Sequence, residues 1–186
     1  MVRVLALCAS LLLIGGCATP VSTKYNTDFD NVGLLRAAGA TPVKIGPISK
    51  EPGAKQDVDS ISLRLAKLDS PYGTYTAYLQ EALQQDFENA RLLDANSPTE
   101  VSGVLLHNDV EAGVSTGTAD VAARLRVTRS GSVLYDQMKS AHVEWDSNFV
   151  AAIAVPRAEE NYPKALQKLL GEFYRDPQFI AALKHQ

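Results

Sequence analysis

The sequence predicts an α+β fold, a largely antiparallel sheet of about four to five strands covered by two main helices. Ala119, Val121, Ala123, Leu125 and Val127 alternate with Asp120, Ala122, Arg124, Arg126 and Thr128. That period of two gives a strand one core face and one polar face. Neighbouring strand-like segments are separated by short turns containing Gly, the pattern of an antiparallel meander. Around Tyr78 and Leu166 the apolar residues instead recur every three or four positions, as they do on a helix with one buried face.

Taken in chain order, residues 17–40 mix Thr, Ser, Asn, Asp and Gly without a sustained period and read as a flexible tether. The carboxylates of Asp28-Phe29-Asp30 belong to that solvated segment rather than to a cation site. Residues 41–186 then form a single domain. Its first strand is expected over Pro42 to Ile48, followed by the turn Glu51-Pro52-Gly53. A second is expected over Ser60 to Leu68, where Ile61, Leu63 and Leu65 alternate with Ser62, Arg64 and Ala66. Asp69-Ser70-Pro71 has the form of a helix start. Behind it Tyr75, Tyr78, Leu79, Ala82, Leu83, Phe87 and Ala90 make a core-facing stripe, with Leu92 and Leu93 closing the helix before Asn96-Ser97-Pro98.

Three further strands follow. Glu100 to Asn108 reads as buried, Gly113 to Gly117 as a hairpin or bulge, and the alternating strand ends at the turn Arg129-Ser130-Gly131-Ser132 before Val133 to Trp145. Phe149 to Val155 is an apolar run with little period, expected to be buried under the helices, the alternative being an exposed contact patch. The last long helix is expected to begin between Glu159 and Pro163 and to bury Tyr162, Ala165, Leu166, Leu169, Leu170 and Phe173. Asp176-Pro177 interrupts it, and Phe179, Ile180 and Leu183 mark a short final helix.

Residues 1–16 carry one positive charge, Arg3, then the apolar run Val4 to Ile14 and the small residues Gly15 and Gly16. This is the layout of a secretory signal peptide. The run is too short for a membrane-spanning helix, which needs about 20 residues. The segment Leu13-Ile14-Gly15-Gly16-Cys17 resembles the lipobox of bacterial lipoproteins. That resemblance implies cleavage before Cys17, a diacylglyceryl group on its thiol and acylation of the new amine, an anchor stable where a single acyl chain would bind reversibly. Ala18, rather than Asp, implies sorting to the outer membrane. Cys8 leaves with the signal, so the mature chain keeps no cysteine but Cys17. Thiol catalysis and thiolate metal sites are thereby excluded.

The whole chain has 18 basic and 21 acidic residues and a net charge of −3, which excludes a basic footprint for nucleic acid. His107, His142 and His185 share no metal or catalytic spacing. His107-Asn108-Asp109 and His142-Val143-Glu144 merely place a His and a carboxylate on one strand face. Nucleophile-elbow, phosphate-loop, dinucleotide and zinc-protease motifs are all missing. No catalytic, cofactor or metal residues are therefore assigned, and no enzyme is expected. Arg124 and Arg126 share a face with Asp120 and read as a solvated face with cross-strand ion pairs. Their alternative is a site for an anionic glycan or lipid.

From the first long helix onward the chain resembles the YajG-type lipoproteins of Gram-negative bacteria. The features concerned are Tyr78-Leu79-Gln80-Glu81-Ala82-Leu83, the Asn108 to Gly117 hairpin with Asp109 and Val114-Ser115, the strand Ala119 to Val127, and the junction from Phe149 into the last long helix, together with the lipobox at Cys17. The resemblance implies a lipid-anchored domain facing the periplasm and carries over no active-site residues. The function expected is that of an outer-membrane lipoprotein whose non-enzymatic domain is an interaction or accessory module with an envelope protein partner. The alternative is a periplasmic binding module for a small glycan or lipid. A hydrolase would need a pocket joining His107 or His142 to acidic residues.

Overall fold

A computed structural model of the chain describes residues 19–53, 56–64 and 66–184. The assignments made to residues 1–16, Cys17, Ala18, Leu65 and His185 lie outside the described residues. The elements run α1 (Phe29–Ala37), β1 (Lys44–Lys50), β2 (Ile61–Leu63), β3 (Ala66–Leu68), α2 (Tyr75–Asn89), β4 (Thr99–Ala112), β5 (Thr116–Arg129), β6 (Ser132–Asp146), α3 (Ala151–Tyr174) and α4 (Pro177–Leu183). This is the α+β architecture that the periodicities predict.

The meander forms as expected: β4, β5 and β6 pair antiparallel in sequence order. At the β5–β6 turn Ser130 and Gly131 both have positive φ, 48° and 86°, matching the twist that two-residue hairpins require. β1 adds to the other side of β4, but parallel to it. The chain between them includes α2, and a crossover of that length can return a strand in the same direction. The sheet is therefore mixed, in the order β1-β4-β5-β6. Val101, Leu105, Ala119, Val121, Ala123, Leu125 and Val127 on its inner face are buried. Tyr78, Leu79, Leu83 and Phe87 of α2 and Tyr162, Leu166, Leu169 and Phe173 of α3 are buried with them in one continuous core. Near the β4–β5 hairpin, a Cβ on Gly117 would stand 2.4 Å from the indole of Trp145, so only glycine fits beneath that ring.

Several boundaries differ from the sequence expectation. Residues 20–25, expected to belong to a flexible tether, are docked on the domain: the Pro20 carbonyl accepts from the Asp69 amide at 2.8 Å, Ser22 N–H donates to the Asp69 carbonyl at 2.9 Å, and Tyr25 is buried. α1 follows, with Asp28 as its N-cap, the side chain accepting from the amides of Asp30 and Asn31. Its inward face is only Asn31, Val32 and Leu35, too brief a stripe to stand out as a period. The expected strand Ser60 to Leu68 is broken at Arg64, whose φ of 52° turns the chain back on itself. β2 and β3 make a separate two-stranded sheet pairing Ile61 with Leu68.

α2 starts later than the Asp69-Ser70-Pro71 signal, at the N-cap Thr74, whose hydroxyl accepts from Ala77 N–H at 3.1 Å. Ser70 instead donates its hydroxyl to the Thr74 carbonyl within the preceding turn. α2 ends at Asn89, and Arg91, at φ 62°, turns the chain out so that Leu93 bridges to Val43. α3 begins at Ala151, well before Glu159, and takes Pro156 and Pro163 into its interior. The run from Phe149 to Val155 is thus the connection into α3 and its first turns. Only Ala154 within it is fully buried, while Phe149, Val150 and Ile153 are exposed.

Candidate functional site

The open face of the meander collects the titratable residues. β-pairing sets Asp120 opposite His142 and His107 opposite Ala122, so both imidazoles and Ser140 line one shallow cleft of about 330 Å³ with Asp120 and Lys168. His142 is held from both sides: Nδ1 lies 2.8 Å from Asp120 Oδ1 and Nε2 lies 3.0 Å from Glu144 Oε1. The hydrogen bonds to Glu144 and then to Asp120 raise its pKa above the usual 6.5. A carboxylate at each ring nitrogen favours the doubly protonated imidazolium, which can donate to both. Among the described residues no hydrogen bond joins Ser140 to either imidazole, and no group of three His, Cys, Asp or Glu is placed to hold a metal ion.

Arg124 and Arg126 converge on one carboxylate, Asp136 of β6, at 3.3 Å and 2.7 Å, rather than on Asp120. These two ion pairs lower the Asp136 pKa, Arg126 contributing most. The face expected to hold ion pairs does so, and the two guanidiniums are already engaged by Asp136.

The most perturbed carboxylate is in the core. Asp86 of α2 is fully buried and accepts from the hydroxyls of Tyr25, at 3.1 and 3.0 Å, and of Tyr174, at 3.0 Å. Burial pushes its pKa up to about 7, against the opposing pull of those hydrogen bonds. The same burial holds both tyrosines protonated. The cluster ties the N-terminal segment, α2 and the end of α3 together.

A groove of about 610 Å³ runs between β6 and α4, lined by Val133, Leu134, Gln137, Gln178, Ala181 and Lys184 among others. β6 is an edge strand, with one row of its backbone groups facing away from β5. Along its C-terminal half that row is partly covered: Lys168 Nζ donates to the His142 carbonyl at 2.8 Å and Arg157 Nη1 to the Asp146 carbonyl at 2.8 Å. Along its N-terminal half the groove is open, and Val133 and Leu134 are exposed within it. His107, His142, Arg124 and Arg126 do not line this groove. Its one sequence signal is the pair Val133-Leu134, which interrupts the alternation and so must present an apolar side chain outward.

A second apolar surface caps the end of the sheet. The side chain of Arg64 donates to four carbonyls there, those of Ala112 (2.8 Å), Phe149 (2.7 Å), Gly113 (3.0 Å) and Asn148 (2.6 Å). It thereby fastens the β4–β5 hairpin to the start of α3. Val114, Phe149, Val150 and Ile153 are exposed around it.

No protein-family model and no curated protein matches the sequence. Among solved structures the chain is similar to a protein of Xanthomonas campestris assigned to the family DUF330, with a TM-score of 0.55 and 15% identity over 88% of this chain and 96% of that one. That likeness shows a shared fold. Fainter likenesses run to a protein of Caulobacter crescentus provisionally described as a lipoprotein (TM-score 0.48, 10% identity, 82% of this chain and 97% of that one) and to a hypothetical protein of Chlamydia trachomatis (TM-score 0.46, 13% identity, 77% and 99%). Among the described residues no helix is long and apolar enough to cross a membrane.

Proposed function

We propose that the chain is a bacterial lipoprotein of the YajG type, held in the outer membrane through acylated Cys17, with a non-enzymatic periplasmic domain that works as an interaction module. The anchor rests on Leu13-Ile14-Gly15-Gly16-Cys17. The observation that carries the module is the groove beside the open half of β6. An extended segment of an envelope protein fits it by adding a strand to β6, meeting the outward backbone groups with its own and Val133, Leu134 and Ala181 with its side chains. A non-enzymatic role agrees with the doubly engaged ring of His142.

Two experiments test the reading. A photo-crosslinking residue at Leu134 in living cells is expected to trap one discrete envelope protein, and the same residue at Ser140 is expected not to. Failure to trap any protein at Leu134 overturns the module. Cys17→Ser is expected to leave a soluble periplasmic protein or an uncleaved precursor, and unchanged acylation and membrane attachment overturn the anchor.

A further inference from the structure

The domain leaves little chain between its fold and the proposed anchor. Pro20 is fixed against Asp69 at 2.8 Å, and the three residues from there back to Cys17 span at most about 10 Å. A domain held on so short a leash lies against the bilayer, and one of its faces must meet the lipid. Val21 bridges to Asp69 in parallel, so Thr19 lies toward the start of β3, the hairpin end that carries Arg64. The Thr23 amide bonds the Glu159 carbonyl at 3.1 Å, six residues or about 9 Å along α3 from Ile153. The chain therefore enters the fold on the side of the apolar cap.

We propose that Phe149, Val150, Ile153 and Val114 form a second, non-covalent membrane contact that inserts into the phospholipid surface in which Cys17 is anchored. The inference rests on the anchoring reading above. Phe149 is 77% exposed and Val114 67%, although Arg64 bonds the carbonyls of Phe149 and of Gly113, the residue before Val114, so the apolar side chains project from backbone that is tied down. Two cations flank them. Arg64 bonds four carbonyls, and Arg157 bonds those of Asp146 at 2.8 Å and Ser147 at 3.3 Å. Among the described residues neither guanidinium forms an ion pair, so their positive charge is not neutralised by a carboxylate and adds a long-range attraction to anionic lipid. The acids Glu159 and Glu160 stand about two turns further along α3 from Ile153. A patch of this size binds lipid weakly alone, but the anchor keeps it at high effective concentration beside the bilayer.

The test uses the full acylated protein in phosphatidylethanolamine and phosphatidylglycerol vesicles containing a brominated lipid. With Cys8 removed and Cys17 acylated, Phe149→Cys supplies the sole thiol for an environment-sensitive fluorophore, and Leu134→Cys supplies the control. Emission from position 149 is expected to shift to the blue and to be quenched severalfold more than emission from 134. Equal quenching at the two positions, in protein that floats with the vesicles, overturns the membrane contact and leaves the anchor standing. A label at 149 that is unquenched by lipid yet shielded from aqueous iodide assigns the patch to a second copy of the chain and likewise overturns the proposal. Protein with no acyl mass on its N-terminal peptide that fails to float overturns the anchor, and this contact with it.

Discussion

Thr23 donates its backbone N–H to the carbonyl of Glu159 at 3.1 Å, the same carbonyl that Pro163, four residues further along α3, has no N–H to meet. A proline inside a helix normally leaves an acceptor without a partner. Here that acceptor receives the N-terminal segment, so one substitution links the helix to the docking of residues 20–25. Pro163→Ala would return a competing helical donor. The Thr23 amide is expected to exchange with solvent about two- to tenfold faster, the range of one net hydrogen bond, read by hydrogen-exchange NMR. An unchanged rate would mean that the proline is incidental.

Asp86 makes stability depend on pH. Its native pKa of about 7 lies above the usual carboxylate value because it is buried. The native state therefore holds a proton that the unfolded chain has released between about pH 4 and pH 7. Stability from this group is complete below that window and declines as pH rises through it, by up to roughly 1.4 kcal/mol per unit. Urea midpoints are expected to fall from pH 5 to pH 8 in the native sequence and to change less in Asp86→Asn. Parallel slopes for the two proteins would rule the assignment out.

His142 gives a local readout of the sheet face. Its imidazole is expected to titrate above 6.5, and to move back toward that value in Glu144→Gln, further than in Asp120→Asn, since Glu144 contributes the larger shift. Proton NMR of the ring follows both titrations. The group is exposed, so the effect on overall stability is expected to be small.

Gly117 and Trp145 test the close packing at the hairpin. Gly117→Ala sets a methyl against the indole, at a position 2.4 Å from it, and is expected to cost about 1–3 kcal/mol. Trp145 is the one tryptophan of the chain, so its emission reports the displacement directly. A variant with native stability and native emission would show that the ring moves aside freely.

Asp136→Asn removes the shared partner of Arg124 and Arg126. These pairs are largely exposed, and the loss in thermal stability is expected to stay within about 1 kcal/mol. If the face were an anion site masked by Asp136, the variant would instead bind phosphatidylglycerol vesicles without its anchor, which co-sedimentation measures.

Much of the fold could be read from residues next to one another in the chain. The alternation from Ala119 to Val127 marks β5 and its buried face correctly, residue for residue. Ser130-Gly131 marks its turn, and the stripes around Tyr78 and Leu166 mark α2 and α3. Boundaries were harder to read. Asp69-Ser70-Pro71 has the chemistry of a cap, yet Asp69 bridges to Val21 and Thr74 caps the helix. Arg64 sits in a clean alternation, and its left-handed φ is repaid by four carbonyls supplied by the β4–β5 hairpin and the connection into α3. Arg64 and the open half of β6 were therefore missed as surface-defining features, because both are defined by neighbours distant in sequence.

The sequence by itself determined the period of the main strands and helices, the sheet-forming order of the meander, the charge balance and the likeness of Leu13-Ile14-Gly15-Gly16-Cys17 to a lipobox, because those properties reside in adjacent residues. Tertiary structure decided which surfaces remain uncovered. An apolar run such as Phe149 to Val155 is written alike whether a helix covers it or not. Its exposure follows from α3 beginning at Ala151 and packing on the core through Ala154, Ala158 and Tyr162, a geometry that turns Phe149, Val150 and Ile153 outward. The parallel placement of β1, the docking of residues 20–25 and the meeting of Asp120, His142 and Glu144 have the same origin: each depends on contacts between segments far apart in the chain, and local period does not record them.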